Sequence, residues 1–211
     1  MTRDEAVDMI QFELGNRSDL EQQIIDRLQQ GQRLLEHGRS LPYFLLEEDQ
    51  TLSVASGSGD TALPTGFLRE KDGEGLRYYD STEEEYTFLE KLILEQGLDR
   101  FAGSDAGVPA AYAIRKTELT IWPERDTSYS LTWSYYKSGT SLATNVSDNA
   151  WLVYAPEVLI GLTGMRIARI LKNQNAVELF KELYHGAWSN AFAESILRED
   201  EGDPILMGGR L

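Results

Sequence analysis

The chain contains no cysteine. That removes disulfides, thiolate nucleophiles, iron–sulfur clusters and zinc–thiolate sites at once, and it agrees with a reducing compartment. Histidine is almost as scarce. His37 and His185 are the only two, and neither has a second histidine or a carboxylate at metal-ligand spacing, so both read as surface or satisfied structural side chains. Long apolar runs are missing too. No segment approaches bilayer length, and Met1–Ile10 lacks the basic start and apolar centre of a signal peptide. No phosphate-binding loop occurs, because Gly57 and Gly59 sit in a Ser/Gly turn without strand-to-helix context. The serines have no histidine in an elbow arrangement. The acidic residues show no pair singled out by motif, which leaves a metal-dependent nuclease or hydrolase as the weakest reading. No catalytic, cofactor-binding or metal residue is assigned, and no cofactor is expected.

Positive charge is also in short supply. Against 35 Asp and Glu stand 20 Lys and Arg, a formal charge of -15. The imbalance is uneven: residues 1–105 hold 23 acidic and 10 basic side chains, and residues 106–211 hold 12 and 10. A protein that clamps duplex DNA gains affinity by releasing counterions from phosphates, and the first half has the wrong sign for that. An acidic surface favours solubility, and it also suits a passage through which DNA slides without sticking.

What is present is enough for one sizeable core in 211 residues, 41% of them hydrophobic and 26% charged. Thr2 and Glu5 have capping-box spacing ahead of Val7, Ile10 and Leu14. Ser18 and Glu21 repeat it ahead of Leu20, Ile24, Leu28 and Leu35, so the opening reads as two helices. Between Ser40 and Arg77 the pattern turns extended, with a short strand at 51–55. Asp72-Gly73-Glu74-Gly75 reads as a hairpin loop between strands at 66–69 and 76–79. The spacing of Tyr86, Leu89 and Ile93 after an acidic first turn predicts a helix over 82–96. Strands follow at 112–114 and 119–122. Tyr129, Leu131, Trp133 and Tyr135 then alternate with Ser128, Ser130, Thr132 and Ser134, giving one aromatic face and one hydroxyl face, the aromatic one suited to packing on the helices. Pro156 opens a helix to Leu171 in which Gly161 and Gly164 allow close approach of another backbone. Ala176, Phe180, Leu183, Ala187 and Ala191 mark the last helix.

The expected fold is α+β and mainly helical: antiparallel helices, an inserted small antiparallel β-sheet region and an extended C-terminal arm. The expected division places residues 1–39 and 155–200 in a helical domain, 40–154 in the β-rich insert, and 201–211 in the arm. Trp122, Trp133 and Trp151 read first as packing residues. The doubled tyrosines must point both ways in a strand. Tyr78 and Tyr136, with Trp151, are therefore candidates for an inter-subunit or tail interface.

The order of several weak motifs runs through most of the chain. It comprises Leu41-Pro42-Tyr43-Phe44-Leu45, Gly107-Val108-Pro109-Ala110-Ala111-Tyr112, Leu119-Thr120-Ile121-Trp122-Pro123, the alternating strand ending in Tyr135-Tyr136, and Asn149-Ala150-Trp151-Leu152 before Pro156-Glu157-Val158-Leu159. In this order the chain resembles the adaptor, or head-to-tail connector, proteins of tailed bacteriophages. The resemblance implies a structural protein of the virion, made and assembled in the host cytoplasm and located at the head–tail junction. It implies a homo-oligomeric, usually dodecameric, ring docked on the portal protein and meeting a downstream tail or tail-completion protein. DNA would pass through without sequence-specific binding, and no membrane anchor is implied. It also implies that 203–211 is a portal-binding arm that includes Pro204, Ile205, Leu206, Met207 and Leu211, with Ile205, Leu206 and Met207 as its anchors. Another head-completion or tail-completion protein, such as a stopper, is the alternative.

Overall fold

A computed structural model of the chain describes residues 1–80 and 84–200, with side chains through residue 196 at the C-terminal end. The chain divides into two compact units: Met1–Leu45 with the stretch from Ser138 onward, and Leu46–Lys137 between them.

The first unit is helical. Helix α1 (Arg3–Glu13) begins with the capping box that the sequence predicts, Thr2 accepting from the Glu5 N–H and the Glu5 side chain accepting from the Thr2 N–H. The second predicted box does not form. Ser18–Leu20 is a short 3₁₀ turn, and α2 (Glu21–Glu36) starts without a side-chain cap. Ala6, Val7 and Ile10 of α1 and Ile24, Leu28 and Leu35 of α2 are buried. The next helix belongs to the insert (α3, Leu94–Arg100), and the helical unit resumes with α4 (Ala150–Tyr154), α5 (Pro156–Ile170) and α6 (Gln174–Asp200). Helix α5 is the core of this unit, its residues Val158–Gly164 all buried. Its two glycines explain why α6 lies so close. A Cβ on Gly161 would fall 2.7 Å from the Tyr184 N, and one on Gly164 would fall 2.4 Å from the Phe180 ring.

The second unit corrects the expectation of a mainly helical chain. The described protein is 43% helix and 23% strand, with two sheets of four to five strands. The first sheet runs β1 (Leu46–Val54), β9 (Tyr129–Lys137), β4 (Arg77–Asp80), β5 (Glu85–Phe88), with β3 (Phe67–Glu70) also paired to β9. The second runs β2 (Asp60–Ala62), β8 (Glu118–Trp122), β7 (Ala111–Arg115), β6 (Glu90–Lys91). Pairing is antiparallel except for β6 with β7. The two sheets share one core: Val54, Tyr78, Leu131, Trp133 and Tyr135 from the first pack with Tyr112, Leu119 and Ile121 from the second. The aromatic face of β9 is therefore covered by another sheet rather than by helices. The opposite face of the second sheet, Ala111, Ala113 and Trp122, holds α3 through Leu94 and Phe101.

Two local expectations fail for identifiable reasons. Strands β3 and β4 do not form a hairpin with each other; each pairs with β9, at Tyr135–Lys137 and at Leu131–Thr132 respectively. Over 82–96, of which 84–96 are described, the chain forms β5 and β6, and helix begins only at Leu94. The three residues that suggested a helical face have no common side: Leu89 is buried, whereas Tyr86 and Ile93 are exposed. Tyr86-Thr87-Phe88 are strand-favouring residue types, and Leu89 turns inward to the shared core.

Candidate assembly surfaces

Within the helical unit, the last turn of α2 places Gln32 and Glu36 one turn apart, and both are buried. The Glu36 carboxylate accepts from four neutral donors: Gln32 Nε2 at 2.9 Å, the Gly139 N–H at 2.9 Å, Ser138 Oγ at 2.7 Å and Trp151 Nε1 at 3.2 Å. Asn149, fully buried, caps α4 by accepting from the Leu152 N–H and donates to Gln32 Oε1. A buried carboxylate is costly unless its lone pairs are filled, and here they are. Gln32, Arg33, Glu36 and Ser138 line a small polar cavity of about 170 Å³ at this point. The network secures the chain where it returns from the β unit. The outgoing chain is secured as well. The Tyr43 N–H donates to Ser195 Oγ at 3.0 Å, and the Phe44 ring meets Trp151 edge-on at 5.1 Å and stacks on Tyr154 at 5.5 Å.

The outer surface of this unit carries large apolar side chains. Met9 and Phe12 of α1 are 45% and 67% exposed and border an open groove with Asp8, Gln11 and Glu13. Along α6, Tyr184, Trp188 and Phe192 form a half-buried aromatic row, with ring centroids 5.8 and 4.4 Å apart. Burial raises the Tyr184 hydroxyl above its ordinary value.

The β unit presents a different surface. Because side chains alternate, the register puts Thr51 and Ser53 of β1, Ser130 and Thr132 of β9, Arg77 and Tyr79 of β4, and Tyr86 and Phe88 of β5 on the face away from the shared core. At its β5 end this face is aromatic. Tyr79 and Tyr86 lie opposite each other with centroids 5.1 Å apart, the Arg77 guanidinium sits over Tyr86 and Phe88 at 5.5 and 5.9 Å, and Arg77 is ion-paired with Asp49. In the interior, burial raises the Tyr129 hydroxyl to about 12, and that hydroxyl has no hydrogen-bond partner among the described residues. Burial, with Glu70 as its partner, also raises Tyr112.

The candidate interface residues named from the sequence are placed inside their own chain. Trp151 is fully buried, and Tyr78 and Tyr136 are each 6% exposed. Of the first tyrosine pair the exposed member is Tyr79; of the second, Tyr135 and Tyr136 are both buried. Tyr136 lies under the Arg69 guanidinium at 5.3 Å. The arm residues Pro204, Ile205, Leu206, Met207 and Leu211 lie outside the described residues. The sequence reading missed the Gln32–Glu36–Asn149 network, whose trace is a polar pair one turn apart at a helix end. It also missed the exposed Tyr86 and Phe88, whose trace is a strand-favouring triplet inside an acidic run.

Among the described residues, no three of His, Asp and Glu gather closely enough to hold a metal ion, and no helix is long and apolar enough to cross a membrane. Exposed apolar and aromatic side chains on both units suit a protein that works through its contacts. The family model of the SU10 adaptor protein matches residues 1–207, and the chain belongs to that family. It is thus a phage structural adaptor and a structural component of the virion. This agrees, at the level of family, with the resemblance carried by the sequence motifs. No curated protein matches the chain.

Proposed function

We propose that the protein forms a homo-oligomeric ring, dodecameric by family resemblance, that links the portal protein to a downstream tail or tail-completion protein at the head–tail junction and surrounds the path of the DNA. It acts through contacts and not as an enzyme. The observation that carries this reading is the family match across residues 1–207. The exposed apolar side chains of the helical unit support it, since a cyclic assembly of more than two copies needs two different faces on each copy. Met9 and Phe12 on α1 and Leu179 on α6 are exposed and available for such faces. The excess of acid over base in residues 1–105 suits a wall along which DNA moves without adhering.

In this reading the C-terminal arm engages the portal through Pro204, Ile205, Leu206, Met207 and Leu211. Deleting 204–211 tests it. The shortened protein is expected to keep its unfolding midpoint, since the core residues described for both units all lie before that segment, and to be captured by immobilised portal rings far more weakly than the full chain. Unchanged capture would remove the arm from the mechanism.

A further inference from the structure

The edge of the first sheet offers something that the adaptor reading does not itself supply. Strand β5 ends the sheet and pairs with β4 alone among the described residues. All four of its residues, Glu85, Tyr86, Thr87 and Phe88, are exposed. The Leu89 N–H donates back to the Leu76 carbonyl at 2.9 Å. Backbone groups alternate in direction along an antiparallel pair, so the N–H and C=O groups of Tyr86 and Phe88 point outward, away from β4. Natural edges are commonly blunted with lysine, proline, a bulge or a covering loop. Strand β5 is four residues long and carries Glu85, but it has no lysine or proline, and its register with β4 runs without a bulge.

We propose that β5 is a docking edge for an extended segment of a different protein, in which apolar and cationic residues alternate and which adds to the sheet as its next strand. The two-residue period of an added strand fixes this pattern. Its side chains on the outer face would lie beside Tyr86 and Phe88, an aromatic floor continued by Tyr79, 44% exposed. Its side chains on the other face would lie beside Glu85 and Thr87. Glu84 and Glu85 have no cationic partner among the described residues, while Arg77, on the outer face, is already held by Asp49. The charge also discriminates between partners. Residues 46–137 hold 18 acidic against 9 basic side chains, so a second copy would bring like charge to this edge, and a cationic strand brings the complement.

The test uses the full chain and a short amidated peptide alternating lysine with valine and tyrosine, with a glutamate-for-lysine peptide as control. Amide hydrogen exchange is read residue by residue. The lysine peptide is expected to slow exchange at the Tyr86 and Phe88 amides, and the glutamate peptide to leave them unchanged. Reversing the edge charge with Glu84→Lys and Glu85→Lys together should weaken lysine-peptide binding by about tenfold or more, with the unfolding midpoint as the check on folding. Tyr86→Pro should abolish the protection, since it deletes an outward N–H and no ladder bond. Equal binding of the two peptides, or protection elsewhere with these amides unmoved, would overturn the proposal. So would protection of the same amides that grows with protein concentration when no peptide is present, because the occupant would then be a second copy.

Discussion

At the scale of single residues, the glycines of α5 and α6 separate two roles that the sequence writes with the same letter. Gly161 and Gly164 announce a close approach, and the structure spends both within the chain, against α6. A Cβ at Gly164 would meet the buried Phe180 ring at 2.4 Å, and an overpacked core costs about 1–3 kcal/mol. Gly186, also in α6, has nothing within 4 Å of its would-be Cβ, and a mid-helix glycine costs about 1 kcal/mol relative to alanine. Gly164→Ala should therefore lower the denaturation midpoint and Gly186→Ala should raise it. A midpoint moving the same way in both would refute the packing described here. Glu36 is the second case. Glu36→Ala removes the acceptor shared by Trp151, Gln32, Ser138 and Gly139 and leaves buried donors unmatched, a loss of about 3 kcal/mol. Glu36→Gln retains one acceptor oxygen and should lose less. Urea unfolding of the two variants measures the difference. The sequence could name this glutamate only as one of 35 acidic residues, because three of its four partners, Ser138, Gly139 and Trp151, lie more than 100 residues away in the chain.

At the scale of elements, legibility follows how much signal a segment carries. Strand β9 declares itself through a long alternation that its burial follows from Tyr129 to Trp133, and α1 through its capping box. Strands β3 to β6 have two to four residues each, too few for a period to emerge, and in the acidic run before Tyr86 the charges imitate a helix start. What covers the aromatic face of β9 was not readable either, because a period of two reports that a face is buried and not by what. The buried face makes a prediction of its own. Burial raises the Tyr129 hydroxyl to about 12, above the ordinary tyrosine value of about 10. A folded value above the unfolded one means stability that is present below about 10 and lost as pH rises through about 12. The wild-type chain should lose stability across that interval relative to Tyr129→Phe, which has no proton to release and also removes a buried hydroxyl without a partner. Parallel melting temperatures of the two proteins across this range would contradict the assignment.

At the scale of the whole molecule, the sequence excluded chemistry more readily than it described shape. The lack of cysteine, the two isolated histidines and the missing phosphate loop pointed to a protein that works by contact, and membership of the SU10 adaptor family gives that conclusion a positive content. The structure redistributes the contact residues. Tyr78, Tyr136 and Trp151 are buried in their own units, whereas Phe12, Tyr79, Tyr86 and Phe88 are exposed. The central claim is that copies of this chain close into a ring on the portal. Electron microscopy of the protein mixed with its portal tests that claim most directly. The account predicts a second ring of density, of matching symmetry axis, stacked on the portal ring; portal particles carrying no such ring would contradict it.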